Sequence, residues 1–298
     1  MLMIDRPVAL GDGPTALHGT LTVPDGNGRR DAVLIWSGSG PTDRDGNSGF
    51  GLKNNSLKML AHMLGEAGFF ALRTDKRGIG ESARSAPPEA DLRFETYVED
   101  AIRWARFLKD VPAVNRVFLL GHSEGALVAT LAARRFAAAG LILLAGAGFP
   151  AADILRRQLA APDIAIPPQL LAETHEIMAA LESGRLAPSV SAALDAQYRP
   201  SVQPYLISWF RYDPAAEFAK VSVRAVVIQG TNDLQVSMAD AERLAGARPG
   251  IPLVRIEGMN HVLKIAPKDR AENFATYTKP LLPLAPALAI AVARFLGQ

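Results

Sequence analysis

Short runs of almost uninterrupted apolar residues recur along the chain, at Ala32–Trp36, Phe69–Arg73, Arg116–Leu120, Leu141–Ala145, Ala225–Gln229 and Pro252–Ile256. A strand that loses the polar half of its alternation is a strand covered on both faces, which is the habit of parallel sheets. Between these runs the apolar spacing changes to a helical period. Leu57, Leu60, Ala61 and Leu64 mark a helix over Asn54–Ala67 that Gly68 stops, and Phe94–Leu108 and Ala126–Ala138 read the same way. Strands alternating with helices predict a mostly parallel, doubly wound α/β sheet. The first segment differs: Arg6–Val23 alternates and carries Gly-Asp-Gly punctuation, which predicts an antiparallel hairpin at a sheet edge.

One stretch breaks the rhythm. Phe149–Tyr212 carries no strand pattern, but has helical spacing at Ala151–Ala160 and Pro168–Glu182, divided by prolines. The expectation is a helical cap, residues 149–212, inserted into a core made of residues 1–148 and 213–298. Pro280–Leu296 is apolar but contains prolines and Arg294, so it predicts a buried terminal helix rather than a membrane span. Met1–Pro7 shows no basic segment followed by a long apolar stretch, so no secretory signal is expected there.

With 49% hydrophobic residues in 298, the chain can bury a large core. Its formal charge is only +2, and no basic run is interleaved with aromatics, so neither nucleic acid nor a membrane is an expected partner. The absence of cysteine rules out disulfides, a thiolate nucleophile and thiolate metal sites, and fits a cytoplasmic setting. No cluster of His and carboxylates has metal-ligand spacing, so no metal is expected. Cap and sheet edge are the surfaces through which a homo-oligomer would form.

Candidate chemistry begins where the Arg116–Leu120 strand runs into Gly121-His122-Ser123-Glu124-Gly125, with a small-residue helix immediately after. A serine on so sharp a strand-to-helix turn is forced into a strained backbone, and its hydroxyl projects from the carboxyl end of the sheet. The helix N-terminus points amide N–H groups at the same place. Two further loops follow strands at that edge: Gly230-Thr231-Asn232-Asp233 and Gly258-Met259-Asn260-His261. The chain order Ser, Asp, His suits a nucleophile, Ser123, activated by a base, His261, that an acid, Asp233, orients. Histidine, with an ordinary pKa of about 6.5, can take the serine proton and return it to a leaving group. The rival histidines fall elsewhere: His18 in the hairpin, His62 in a helix, His175 in the cap, and His122 inside the turn with its ring expected to point away. A developing oxyanion needs two donors, for which the backbone N–H groups of Glu124 and Ser39 are the candidates. The Glu124 side chain is read first as an outward-facing acid favoured by the helix macrodipole, with a carboxylate that approaches the site as the alternative. Asp43, Arg44 and Asp45 are read either as lining the substrate entrance or as a self-contained salt-bridged loop, and Arg77 as a brace for the elbow region.

At these residues the chain resembles the α/β-hydrolase superfamily, and within it the bacterial carboxylesterases with a Gly-His-Ser-Glu-Gly elbow. Trp36-Ser37-Gly38-Ser39-Gly40-Pro41-Thr42-Asp43-Arg44-Asp45-Gly46-Asn47 is similar to the oxyanion loop of that group, with Ser37 where many relatives have His. Asp75-Lys76-Arg77-Gly78-Ile79-Gly80-Glu81-Ser82 is similar to the family's Asp-x-Arg-Gly-x-Gly-x-Ser turn. The resemblance implies the α/β-hydrolase fold and cofactor-free hydrolysis of a small acyl ester, often short-chain, through an acyl-enzyme on Ser123. A small-peptide peptidase, a thioesterase or an acyltransferase would use the same three residues, and a non-catalytic small-molecule receptor would keep the fold without turnover.

Overall fold

The computed structural model describes residues 3–49, 51–160 and 165–297. Residues 161–164 of the expected cap lie outside the described residues, as do Met1 and Leu2. Eight strands form one sheet: β1 (Ile4–Leu10), β2 (Leu17–Val23), β3 (Arg30–Trp36), β4 (Phe70–Thr74), β5 (Val114–His122), β6 (Gly140–Leu144), β7 (Ala225–Gly230) and β8 (Leu253–Ile256). Their order is β1-β2-β4-β3-β5-β6-β7-β8. The hairpin β1–β2 pairs antiparallel and joins β4 antiparallel, while every pairing from β4 to β8 is parallel.

The helices are α1 (Ser56–Glu66), α2 (Phe94–Asp110), α3 (Glu124–Ala133), α4 (Ala151–Leu159), α5 (Pro168–Glu182), α6 (Asp195–Tyr198), α7 (Gln203–Phe210), α8 (Pro214–Ala219), α9 (Met238–Ala247), α10 (Arg270–Ala275) and α11 (Pro286–Leu296). Alternate side chains of each central strand enter different cores, which explains the uninterrupted apolar runs. Leu34, Trp36, Leu119 and Leu143 pack with α2 and α3, whereas Val33, Ile35, Leu120 and Ile142 pack with α1 and α11. At roughly 1.5–3 kcal/mol for each large apolar side chain withdrawn from water, these two layers supply the main driving force for the fold.

One element departs from its expected boundary. The helix after the elbow starts at Glu124 and ends at Ala133, short of Ala138, because the chain turns through Arg135 and Phe136 to enter β6. All ten of its residues are buried, so its sequence shows no amphipathic stripe that would have fixed its end. The segment between β6 and β7 carries helices α4–α8, of which α4–α7 enclose a separate small core of Ala152, Ile177, Met178, Leu181, Tyr198 and Phe210.

Candidate active site

β5 ends at His122, α3 begins at Glu124, and Ser123 alone makes the turn, with φ 58° and ψ −125°. That left-handed backbone is costly for a residue with a side chain, on the order of 1–3 kcal/mol, and persists only where packing enforces it. The enforcement is visible in the flanking glycines. A Cβ on Gly121 would lie 2.0 Å from the Gly125 carbonyl oxygen, and one on Gly125 would lie 2.5 Å from the Trp36 carbonyl oxygen. Strand, helix and the loop after β3 therefore meet at backbone contact, and only glycine fits.

Ser123, His261 and Asp233, expected together from sequence, meet in one hydrogen-bonded chain. Ser123 Oγ lies 3.1 Å from His261 Nε2, and His261 Nδ1 lies 2.8 Å from Asp233 Oδ2. Asp233 is fully buried and saturated with donors. Its Oδ1 accepts the backbone N–H groups of Gln235 at 2.8 Å and Val236 at 2.9 Å, and its Oδ2 also accepts Gln229 Nε2 at 3.1 Å. Burial alone would raise the Asp233 pKa. Interaction with His261 and the two backbone N–H groups outweigh it and hold the carboxyl below its ordinary value, ionised at neutral pH. The arrangement fixes the His261 tautomer with Nδ1–H donated to Asp233, leaving Nε2 free to accept from the serine.

The loop that presents His261 is braced from below. Asn260 Nδ2 donates to Thr276 Oγ1 at 2.7 Å and to Asn273 Oδ1 at 3.2 Å, while Asn273 Nδ2 reaches the Asn232 carbonyl at 2.9 Å. The acid and histidine loops are thus tied to each other and to α10. His122 does not point away as expected. Its Nε2 donates to the His261 carbonyl at 2.8 Å, and the two rings lie 4.8 Å apart. Burial, with His261 beside it, lowers the His122 pKa to about 3, so the ring is a neutral packing partner for the histidine loop.

Ser39 and Ser123 both line two cavities that meet at the serine. One, of about 90 Å3, is walled by Leu127, Phe149, Leu155, Trp209 and the Glu124 side chain. The other, of about 220 Å3, runs past His261, Val262, Asn54 and Tyr277. Gly38 approaches the serine closely, since a Cβ there would come within 3.0 Å of Ser123 Cβ. The Glu124 side chain corrects the sequence reading: it does not face solvent but is only 5% exposed. Its Oε2 accepts the Tyr205 hydroxyl at 3.3 Å and its Oε1 has no partner within the protein. Burial pushes this carboxyl upward, opposed mainly by Lys76.

The charged loop is salt-bridged but not self-contained. Arg44 pairs with Asp75 and, at 2.6 Å, with Glu81, while Asp45 accepts Arg73 Nε at 2.8 Å. Asp43 caps its own loop through the N–H groups of Asp45 and Asn47. Arg77 braces α2 through Asp100 rather than the elbow. Lys76, between Asp75 and Arg77, is 2% exposed and donates to the carbonyls of Gly38 and Gly40. No sequence signal separates it from a solvated turn lysine. Among the described residues no group of His and carboxylates could hold a metal ion, and no helix is long and apolar enough to cross a membrane.

Similarity to known proteins follows the same lines. Esterase EstD of Thermotoga maritima is 28% identical over 251 residues, covering 83% of this chain; the chain spans 58% of the length of that relative. Among solved structures, Est1E from Butyrivibrio proteoclasticus superposes with a TM-score of 0.61 at 16% identity, over 98% of this chain and 99% of that one. The enol-lactonase from Burkholderia xenovorans LB400 gives 0.58 at 19% identity, over 98% and 100%. These distant likenesses concern the fold. A model of the alpha/beta hydrolase family matches residues 33–275, and the chain belongs to that family.

Proposed function

We propose that this protein is a serine esterase that cleaves small acyl esters, with Ser123 as nucleophile, His261 as general base and acid, and Asp233 as the orienting carboxylate. The observation that carries the reading is the continuous chain from Ser123 Oγ through His261 to a buried, ionised Asp233. Ser123 Oγ attacks the ester carbonyl carbon as its proton passes to His261 Nε2. The resulting oxyanion takes the backbone N–H groups of Ser39 and Glu124, each worth about 3 kcal/mol in the transition state. His261 then returns the proton to the departing alcohol, and the acyl-enzyme is released by water activated at the same nitrogen.

In this reading the 90 Å3 cavity receives the acyl chain and the larger one the alcohol. The small volume, closed by Leu155 of α4 and Trp209 of α7, favours short acyl groups. Residues 149–212 then act as a cap, since they supply those two walls. The likeness to Esterase EstD supports ester chemistry over the peptidase, thioesterase and acyltransferase readings.

The test is hydrolysis of p-nitrophenyl esters from acetate to palmitate by the wild type and Ser123→Ala. We expect turnover highest at acetate and butyrate, and abolished by the substitution. A Ser123→Ala protein as active as wild type overturns the nucleophile, and a maximum at palmitate overturns the acyl-pocket assignment. Wild-type turnover of thioesters or dipeptides without any of esters overturns the ester reading.

A further inference from the structure

We propose that Lys76 is a positioning residue for the oxyanion site: it holds the carbonyl of the same peptide unit that presents the Ser39 N–H. The inference rests on the assignment of Ser39 as an oxyanion donor and goes beyond it, to what fixes the donor's direction.

The Lys76 ammonium is buried at the end of β4 and donates to the Gly38 carbonyl, and to the Gly40 carbonyl at 2.9 Å. In a trans peptide the C=O of one residue and the N–H of the next point to opposite sides of a rigid plane. Gripping the Gly38 oxygen therefore aims the Ser39 N–H away from Lys76. The rest of the loop is secured from its other carbonyls. Thr42 Oγ1 donates to the Ser39 carbonyl at 2.8 Å, and the Thr42 N–H donates to the Gly40 carbonyl at 2.8 Å. Glycines at 38 and 40 give this loop little stiffness of its own, so its direction depends on these anchors. The single ammonium spans two carbonyls two residues apart and so ties both ends of this stretch to one buried point.

A buried ammonium needs a counter-charge, and the nearby Glu124 carboxyl is the acid whose charge favours the protonated lysine against burial. Glu124 is the residue whose own N–H is the second proposed donor, and its carboxylate is tied to Tyr205 on α7. The Lys76 Nζ also lies 5.6 Å from the centre of the Tyr97 ring, which packs edge-on against Tyr205 at 5.8 Å. Both sides of the oxyanion site thus hang on one buried cluster of Lys76, Glu124, Tyr97 and Tyr205.

The test compares wild type, Ser123→Ala, Lys76→Met and the charge-balanced Lys76→Met/Glu124→Gln, with folding followed by circular dichroism. The double variant keeps the experiment decisive should the single one leave Glu124 unbalanced and fail to fold. Kinetics on p-nitrophenyl butyrate are read together with inhibition by a trifluoromethyl ketone, whose hemiketal oxygen takes the oxyanion position. In whichever variant folds, kcat should fall about 100-fold with KM within about threefold, and the ketone should weaken in proportion. A purely structural lysine would lower melting temperature and leave the kcat of the folded fraction and the ketone affinity unchanged; that result, or a loss carried by KM, overturns the proposal. If Ser123→Ala is inactive while the Lys76 variants keep wild-type kcat, only the Lys76 inference fails. If Ser123→Ala stays active, the nucleophile assignment fails with it.

Discussion

Asp233 and Glu124 are carboxylates buried at the same edge of the sheet, yet their surroundings shift their pKa values in opposite directions. Asp233 follows β7 in a tight turn that aims two backbone N–H groups at its Oδ1, while the Gln229 amide of β7 and His261 share its Oδ2. Glu124 stands on the first turn of α3 with one weak hydroxyl donor at 3.3 Å and one oxygen without a partner. Burial raises the carboxyl pKa at both sites, but only at Asp233 do donors and a neighbouring imidazole reverse it. Burial alone therefore does not decide what a carboxylate does; the number of donors aimed at it does.

The comparison is broken most directly at Asp233. Asp233→Asn keeps the shape but offers an amide in place of an acceptor, so His261 adopts the wrong tautomer. We expect kcat on short esters to fall by about 10⁴, with KM little changed. Steady-state kinetics on p-nitrophenyl acetate check this, and a loss under tenfold would show that Asp233 does not orient His261.

Stability against pH sharpens it. Asp233 holds protons more weakly folded than unfolded, so its contribution is present above the unfolded value of about 4 and fades as pH falls through the lower folded value. Glu124 has the opposite sign: its contribution is complete below about 4.3 and is lost as pH rises through the higher folded value. In melting curves recorded at successive pH values, Asp233→Asn should close its gap to wild type on acidification below about pH 4. Glu124→Gln should gain on wild type as pH rises from about 4. Curves that move in the same direction would show that the two carboxyls are shifted the same way.

A smaller effect is expected at Leu155, which lines the same cavity as Glu124. Leu155→Ala opens the cavity proposed for the acyl chain, where two more methylenes would be buried at about 0.8 kcal/mol each. The kcat/KM ratio of octanoate to butyrate should rise about tenfold. An unchanged ratio in the ester series would move the acyl chain to the cavity beside Tyr277.

The fold was legible because its signals are local. Val33 and Ile35 facing one core, and Leu34 and Trp36 the other, leave a run of apolar residues that no half-exposed strand shows. Ser123, Asp233 and His261 were legible for a related reason: each follows such a strand, and parallel strands bring their carboxyl ends to one edge. The walls from Phe149, Leu155 and Trp209 were not legible, since the helices between β6 and β7 show helical period without saying which face meets the serine.

The amino-acid order thus determined by itself the parallel sheet, the strained serine turn and the order of the serine, aspartate and histidine loops that meet at the sheet edge, because periodicity and turn chemistry are written in neighbouring residues. Only tertiary structure decided that Lys76 is buried against the Gly38 and Gly40 carbonyls, that His122 packs on His261, and that Glu124 turns inward. A lysine, a histidine and a glutamate in turns look alike in sequence whether solvated or enclosed. What separates them is the set of carbonyls and rings that distant segments bring to within hydrogen-bonding or packing distance.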